Sequence, residues 1–247
     1  MQVVLLESAD LAIERESRQF LQLERAVQPR YQLDQDAGLP AVSPGGNRTV
    51  AYQFCKRLLD VLGACLLIMF LSPILLAAWA VLFWATRGRP IFRQVRVGEC
   101  GGEFTLYKFR TMVLNAEGFR HEVENEQDGP VFKNRRDPRV TRLGAFLRKF
   151  SIDELPQLFN VLRGDMSLVG PRPPIPAEVR HYEPWQLRRL GVRPGLTCLW
   201  QVNGRCEIGF KQWVRMDLWY VDHQSLTLDL ILLLKTPGCV LSGRGAY

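Results

Sequence analysis

The longest apolar stretch of the chain, residues 61–85, carries no charge over 25 positions. A stretch of that length and composition normally enters or crosses a bilayer as a helix. Ser72 and Pro73 lie in its middle. Because proline removes a backbone donor and clashes with the preceding turn, we expect a kink or break there, and the Ser72 hydroxyl can bond a freed carbonyl.

Basic residues flank both ends of the apolar stretch, at Lys56, Arg57, Arg87, Arg89, Arg93 and Arg96. Such flanks prefer the cytoplasm, so a re-entrant hairpin obeys the charge rule and a single span does not; on these residues alone the two readings stay open.

Three regions follow from this stretch. Residues 1–50 are polar, with apolar residues at helical spacing between positions 11 and 27, and predict a partly helical, partly disordered leader. Residues 51–88 form the membrane segment, and residues 89–247 form one further domain. We expect a mainly helical α/β chain with small β-hairpins that is associated with a membrane.

The alternation of apolar and polar positions predicts elements beyond the anchor. Residues 91–113 alternate like a hairpin with glycines at its turn. Residues 196–202 look like part of a second hairpin, with Asn203-Gly204 as its turn. Residues 115–130 are polar and acidic and indicate a helix or mobile loop over a site. The predicted helices are residues 140–150, 155–162, 178–190 and 210–220, with an apolar run at 226–234 before Pro237. Trp213, Trp219 and Tyr220 fit either a membrane interface or an ordinary core.

The charge pattern points to an anionic partner. The chain has a formal net charge of +7, and many of its basic residues fall between Arg87 and Arg205. Nucleic acid, lipid headgroups and phosphorylated substrates all fit such a charge, but no nucleic-acid-binding module or aromatic-basic stacking pattern is present, so we expect no nucleic acid. The six cysteines form no C-x-x-C pair, which argues against a zinc site and a disulfide framework. No cleavable secretion signal is visible.

The pair Asp153-Glu154, within S-I-D-E-L-P-Q from Ser151, is the main candidate for chemistry. One interpretation is structural: Ser151 and Glu154 have the spacing of a helix capping box. Pro156 argues against it, because a proline in the second turn would break the helix, whereas a helix beginning at or near Pro156 is natural. The two carboxylates would then lie at a helix mouth suited to phosphate, and would need a divalent metal or basic side chains as counter-charge.

Several basic residues are placed to supply that counter-charge. Lys108 and Arg110 alternate on one face of a predicted strand, and Arg148 lies five residues before Asp153. Arg172 stands in the extended segment begun by Pro171, where a rigid frame reduces the entropy lost in aiming a guanidinium at phosphate. A further basic run comprises Lys133, Arg135, Arg136, Arg139 and Arg142.

From Lys56 to the C-terminus the chain resembles the bacterial sugar transferases called monotopic phosphoglycosyl transferases, the undecaprenyl-phosphate sugar phosphotransferases of exopolysaccharide, capsule and O-antigen synthesis. The matching pieces are K-R-L-L-D-V at Lys56, Ser72-Pro73, K-F-R-T-M at Lys108, the block D-P-R-V-T-R-L-G-A-F-L-R-K-F-S-I-D-E-L-P-Q-L-F-N-V-L-R-G-D-M-S-L-V-G-P-R-P from Asp137, and L-W-Q-V-N-G-R at Leu199. Cys198, where the family commonly has glycine, and Asp222-His223 depart from its pattern.

The resemblance implies a reaction and a set of site residues. Asp153 would attack the phosphate nearest the sugar of a UDP-sugar, giving an aspartyl-linked sugar phosphate and UMP, and undecaprenyl phosphate would take up the sugar phosphate. Asp153 and Glu154 would also hold Mg²⁺. Substrate contacts are implied for Lys108, Arg110, Arg148, Gln157, Pro171 and Arg172. The resemblance further favours a monotopic, re-entrant helix-break-helix over residues 51–88 with its break at Ser72-Pro73, and implies that residues 89–247 form a cytoplasmic catalytic domain. Beside longer members of the family, the chain looks like a short form with its own leader. The resemblance also implies the cytoplasmic face of the bacterial inner membrane, contact with membrane lipid, downstream glycosyltransferases as partners and possible homo-oligomers.

Two other functions remain as alternatives. A non-catalytic membrane adaptor would explain the anchor and the charge but assigns no purpose to Asp153-Glu154. A nucleotide-sugar glycosyltransferase without an acyl-phosphate step would release UDP instead of UMP. The sequence does not identify the sugar.

Overall fold

The computed structural model describes residues 42–47, 49–126, 128–132, 134–203 and 209–243. Nearly all of the predicted leader, residues 1–50, lies outside them, as do Lys133 of the basic run and Gly204 of the predicted second turn.

The apolar stretch forms one long helix, α1, Val50–Ala85, with Pro73 inside it. It is long and apolar enough to cross a membrane, and only 6% of its most apolar window is buried against the rest of the protein. The Ser72 hydroxyl donates to the Met69 carbonyl at 2.8 Å. Met69 is the residue whose carbonyl Pro73 leaves without its usual amide donor, so the serine compensates for the proline as expected. Because the helical assignment continues through Pro73, the predicted helix-break-helix is not confirmed.

The first predicted hairpin is present. Strand β1, Ile91–Val97, pairs antiparallel with β2, Glu103–Phe109, and a short 3₁₀ turn, Glu99–Gly101, connects them. The alternation of the sequence was therefore a reliable guide here.

The second predicted hairpin, at residues 196–202, is wrong. Residues 195–197 form a short strand, β4 (Gly195–Thr197), which pairs in parallel with β3 (Ser167–Val169), and the chain then enters a helix, Leu199–Asn203. The partner strand lies almost thirty residues earlier in the chain, so the local Asn-Gly signal pointed to the wrong neighbour.

The other helices surround these two small sheets. Thr141 caps α2, Arg142–Lys149, by accepting a hydrogen bond from the Gly144 amide at 2.9 Å. Helix α3, Gln157–Arg163, ends at Gly164 in the left-handed conformation, φ 92°. The expected helix over residues 178–190 is divided, because Pro184 begins a new helix. The helices are α2 Arg142–Lys149, α3 Gln157–Arg163, α4 Pro176–Val179, α5 Pro184–Leu187, α6 Leu199–Asn203, α7 Phe210–Asp222 and α8 Leu226–Ser242, which continues through Pro237.

In the part of the chain that the structure describes, two apolar clusters hold the fold together. The larger one joins the sheets to α3, α7 and α8 and includes Trp213 and Tyr220, each 2% exposed, so these two aromatics belong to the core and not to a membrane interface. The smaller cluster packs Leu82, from the second half of α1, against Phe109 and Leu147. The architecture is thus mixed and mainly helical with small sheets, as predicted.

The first half of α1 is also bound to the rest of the protein. Asp60 accepts hydrogen bonds from the Ser167 hydroxyl at 2.9 Å and the Leu168 amide at 2.8 Å. Lys56 pairs with Asp229 of α8 at 2.8 Å. The two halves of the apolar helix therefore pack on the same body of secondary structure.

Candidate active site

Asp153 and Glu154 lie on a short 3₁₀ turn, Ile152–Glu154, between α2 and α3. Ser151 enters this turn in the left-handed conformation, φ 53°, which is uncommon for a residue with a side chain. Its side chain makes no capping hydrogen bond, and α3 begins at Gln157 after Pro156. The capping-box interpretation is therefore wrong, and the expectation of a helix beginning near Pro156 is confirmed.

Asp153 is held in an environment that disfavours its charge. The residue is only 7% exposed. Burial, with a smaller contribution from the neighbouring Glu154, raises its pKa to about 6 against the attraction of Lys108 and Arg148. The carboxylate is thus mostly ionised at neutral pH but poorly solvated, which is the condition of a reactive oxygen nucleophile.

Lys108 supplies the nearest cation. Its Nζ lies 2.7 Å from Glu154 Oε1, and both side chains are about four-fifths buried. The fold fixes this approach through Asn160 of α3, which accepts from the Tyr107 amide at 3.1 Å and donates to the Thr105 carbonyl at 2.7 Å. The strand that carries Lys108 is thereby attached to the helix that follows the carboxylates.

Arg148 reaches the site from the last turn of α2. Its Nε donates to the Thr111 hydroxyl at 2.9 Å, and the Thr111 carbonyl accepts from the Thr141 amide at 3.0 Å. Helix α2 and the segment that follows β2 approach so closely that a Cβ at Gly144 would lie 1.9 Å from the Thr111 carbonyl oxygen. Only glycine fits at this position, and the close approach sets the distance from which Arg148 extends.

These side chains face a cavity of about 400 Å³. Among the residues that the structure describes, seven basic and five acidic ones line the cavity, together with aromatic rings. The basic lining residues are Arg96, Lys108, Arg110, Arg120, Arg139, Arg148 and Arg172, and the acidic ones are Glu117, Asp137, Asp153, Glu154 and Glu178. A cavity of this size, with cations concentrated around the carboxylate pair Asp153-Glu154, suits a ligand carrying phosphates.

Most of the predicted site residues meet at this cavity. Asp153, Glu154, Lys108, Arg148, Arg110 and Arg172 all line it. Gln157 is buried and borders a much smaller adjoining cavity together with Lys108, Glu154 and Arg172. Pro171 lines neither cavity; its carbonyl accepts from the Gly195 amide at 2.9 Å, so its contribution is to the backbone.

The basic run contributes fewer residues to the cavity than its charge suggested. Arg135, Arg136 and Arg142 are exposed, away from the cavity lining. Arg139 does line the cavity, but its guanidinium is paired with Asp137 at 2.7 Å and donates to the Ala116 carbonyl at 3.2 Å. The loop that includes Asn115, Glu117 and Arg120 also borders the cavity, in agreement with the expectation of a segment over a site.

Sequence reasoning missed Arg96 and Thr111 as site residues. Arg96 was interpreted as a flank of the membrane segment, yet it is 8% exposed and lines the cavity. Burial, helped by the nearby Arg172, lowers the pKa of its guanidinium to about 10. The signal that could have found it is its spacing: Gln94, Arg96 and Lys108 face one side of the hairpin, and all three line the cavity.

The described residues contain no group of three or more histidine, cysteine, aspartate or glutamate side chains placed to hold a metal ion. Mg²⁺ needs no such group, because it is commonly bound by one or two carboxylates together with substrate phosphates. Asp153 and Glu154 are adjacent carboxylates facing the cavity, so the donor set fits that mode. The metal stays a prediction.

Comparison with known proteins places this geometry in context. The family model for bacterial sugar transferases matches residues 51–243. The chain is 44% identical over 206 residues to the UDP-galactose-lipid carrier transferase of Erwinia amylovora, covering 79% of this chain and 42% of that protein. It is 41% identical over 206 residues to the undecaprenyl-phosphate galactose phosphotransferase of Salmonella typhimurium, again covering 79% and 42%. It is 39% identical over 198 residues to the exopolysaccharide production protein ExoY of Rhizobium meliloti, covering 78% of this chain and 88% of that protein.

The chain thus spans less than half the length of the first two relatives and most of the third. The matched region begins at the start of α1 and includes the apolar helix, both sheets and every residue named above as lining the cavity. On this evidence the chain belongs to the bacterial sugar transferase family.

Proposed function

We propose that this protein transfers a sugar 1-phosphate from a UDP-sugar to undecaprenyl phosphate, giving undecaprenyl-diphospho-sugar and UMP, as the first membrane step of exopolysaccharide or related glycan synthesis. The observation that carries the proposal is the buried carboxylate Asp153 in a cation-lined cavity beside an apolar helix. The names of the relatives support both substrates, since they specify UDP-galactose, a lipid carrier and undecaprenyl phosphate.

The reaction proceeds in two displacements at one phosphorus atom. An Asp153 carboxylate oxygen attacks the phosphorus nearest the sugar; the new O–P bond forms as the bond to the bridging diphosphate oxygen breaks, and UMP leaves with that oxygen. A phosphate oxygen of undecaprenyl phosphate then attacks the same phosphorus and releases Asp153. An aspartyl phosphate is energy-rich, so passing its phosphoryl group to another phosphate need not be uphill.

The basic lining gives each step its electrostatic support. Lys108, 2.7 Å from Glu154, and Arg148, fixed by Thr111 at 2.9 Å, are both among the charges that lower the pKa of Asp153. The same cations attract the diphosphate and stabilise charge on the leaving UMP, which is where most of the catalytic gain in phosphoryl transfer arises. Arg172 adds a planar donor fork suited to phosphate oxygens.

Asp153 and Glu154 would hold Mg²⁺ together with the diphosphate oxygens. When bound, the ion supplies positive charge that neutralises the leaving group. Burial of Asp153 keeps water away from the acyl phosphate between the two steps, and the Glu154–Lys108 pair holds Glu154 beside it.

The membrane segment brings the lipid substrate to the carboxylates. Ile152, the residue before Asp153, packs in the same apolar cluster as Leu82 of α1. Arg110, which lines the cavity, donates from Nε to the Arg89 carbonyl at 2.9 Å, just beyond the end of α1. A lipid phosphate arriving along the membrane surface therefore meets the cavity at its junction with the anchor.

The anchor is proposed to be re-entrant, with both ends on the cytoplasmic face of the bacterial inner membrane. The supporting observation is that Asp60 and Leu82, from opposite halves of α1, both pack on the catalytic domain. Basic residues at both flanks favour the same topology. The Ser72 bond to the Met69 carbonyl lets the helix carry Pro73 at membrane depth.

The experiment uses detergent-solubilised protein with Mg²⁺, polyprenyl phosphate and a panel of UDP-sugars, and measures UMP and UDP release separately. UMP from one or a few donors supports the proposal and identifies the sugar. UDP as the product would instead support a glycosyltransferase that transfers the sugar alone, and no nucleotide release by folded protein would support the adaptor.

A further inference from the structure

The segment that carries Arg172 is held at every carbonyl. Three of its four residues, 171–174, are prolines and have no N–H, so only their carbonyls can join hydrogen bonds. Each carbonyl accepts from a different donor: Pro171 from the Gly195 amide at 2.9 Å, Arg172 from Arg189 Nη2 at 3.0 Å, Pro173 from Arg96 Nη1 at 2.8 Å and Pro174 from the Val97 amide at 2.9 Å.

Arg189 is the more deeply buried of the two side-chain donors. Its side chain is 1% exposed, and it pairs with Asp217, 0% exposed, at 2.5 Å. The same guanidinium also donates to the Tyr182 hydroxyl at 2.7 Å. Nη1 and Nη2 together bind three partners, so the guanidinium has one orientation and the carbonyl of Arg172 one position.

The side chain of Arg172 is oriented from the same place. Its guanidinium lies over the Trp213 ring, 5.5 Å from the centroid, and that of Arg189 lies 5.4 Å from the same centroid. Trp213 is 2% exposed and packs on Trp200, a cavity residue, at 4.4 Å between centroids. The aromatic pair thus forms a fixed surface between the buried ion pair and the cavity.

Burying the ion pair Arg189–Asp217 is energetically unfavourable, because both ions lose their hydration and their mutual attraction only partly offsets that loss. Neither Arg189 nor Asp217 lines the cavity. We propose that Arg189 and Asp217 are positioning residues that fix the backbone and guanidinium of Arg172 so that it binds the phosphates of the donor. The inference rests on the proposed function for the identity of the donor, and it concerns the nucleotide side of the site.

The test is a double-mutant cycle on binding of UDP, measured by calorimetry with detergent-solubilised protein and no acceptor. The variants are Arg189→Lys, which keeps the charge but loses the planar fork, and Asp217→Asn, which keeps the shape but releases the fork. Each is made alone and combined with Arg172→Ala. The neighbouring exposed pair Arg188–Asp222, 2.7 Å apart and 50% and 43% exposed, gives matched controls in Arg188→Lys and Asp222→Asn.

With Arg172 present, Arg189→Lys and Asp217→Asn are each expected to weaken UDP binding about 5- to 10-fold, because a charge-assisted contact with the phosphates is misplaced. In the Arg172→Ala background the same two changes should weaken UDP binding less than about 2-fold. The KM for polyprenyl phosphate should stay unchanged while the KM for the donor rises. The controls should leave UDP binding within about 2-fold in both backgrounds, as exposed pairs contribute little.

Equal weakening in both backgrounds, or none in folded protein, would overturn the proposal, as would an Arg172→Ala variant that binds UDP normally. If neither buried-pair variant folds, the pair is a structural ion pair and the proposal also fails. The cycle measures binding without turnover, so its result is separable from the reaction. Coupling between the buried pair and Arg172 without UMP release from any donor would refute the proposed function alone. UMP release without that coupling would refute this inference alone.

Discussion

Lys108 and Glu154 form an ion pair with 2.7 Å between Nζ and Oε1, directly beside the buried Asp153. The lysine therefore acts on two carboxylates at once: it neutralises Glu154, whose charge would raise the pKa of Asp153, and it lowers that pKa itself. The ionised state of the proposed nucleophile depends on this one cation more than on any other.

Replacing the cation should change the pH dependence of the reaction. In Lys108→Met the pKa of Asp153 should rise, so the acid limb of the kcat/KM profile moves to higher pH, and UMP release at pH 7 should fall by roughly 10- to 100-fold. Lys211→Met, at an exposed position of α7, is the control and should leave the profile in place. If the acid limb of Lys108→Met did not shift, Lys108 would not control the ionisation of Asp153.

The parent protein should itself lose activity in acid. Because burial raises the pKa of Asp153 from 3.8 to about 6, protonation near pH 6 removes the nucleophile. We expect kcat/KM to fall about tenfold for each pH unit below that value. A plateau extending down to pH 5 would show that Asp153 is not the group whose ionisation limits the reaction.

The same shift predicts that function costs stability. With its pKa raised in the folded state, Asp153 binds a proton more tightly there than in the unfolded chain, so it destabilises the fold as pH rises through the interval from about 4 to about 6. Asp153→Asn should therefore raise the unfolding temperature by a few degrees at pH 8, on the order of 1 kcal/mol or more, and by less at pH 4.5. Thermal unfolding of the parent and Asp153→Asn at both pH values checks this. If Asp153→Asn were less stable than the parent at pH 8, the Asp153 carboxylate would not be a buried, unfavourable charge.

Gly144 should tolerate no side chain. A Cβ there would lie 1.9 Å from the Thr111 carbonyl oxygen, so Gly144→Ala must separate α2 from the strand end that binds Arg148. We expect a loss of about 1–3 kcal/mol in stability and a fall in activity larger than the fraction unfolded explains. Gly238→Ala is the matched control: its Cβ would meet nothing within 4 Å, and alanine in a helix should stabilise by about 0.5–1 kcal/mol. Equal behaviour of the two variants would refute the close approach.

The anchor makes a separate prediction about topology. Tags at Met1 and Tyr247 should both be protected from protease in intact spheroplasts and both be cleaved after lysis. A straight helix of 36 residues would be about 54 Å long, enough to cross the bilayer, so the spanning model predicts the opposite result for one tag. Tags on opposite sides would exclude the re-entrant arrangement.

Local patterns predicted the parts of the fold that depend on local order. Alternation located β1 and β2, and the position of Pro156 correctly opposed a capping box at Ser151. The pairing of β4 with β3 could not be predicted, because the Asn-Gly signal is local and the true partner is distant in the sequence.

The site was predicted less completely than the motifs suggest. The carboxylates and Lys108, Arg148 and Arg172 meet at one cavity as expected. The buried pair of Arg189 and Asp217 was missed, because a charge in an amphipathic helix is normally solvated and only the fold brings its partner to it. Whether a cation supports chemistry or merely covers the surface is decided by tertiary packing.

The central claim is that Asp153 is the nucleophile, and the most direct measurement is UMP release by the parent, Asp153→Asn and Glu154→Gln with Mg²⁺, polyprenyl phosphate and the preferred UDP-sugar. Asparagine keeps the size of the side chain and removes the attacking oxygen, so UMP release by Asp153→Asn should fall by about 1,000-fold or more. A single-turnover reaction with labelled donor and no acceptor should leave a sugar phosphate on the parent protein but not on Asp153→Asn. EDTA should abolish release and added Mg²⁺ restore it. Folded Asp153→Asn that releases UMP at the parent rate, or that retains the covalent label, would contradict the account.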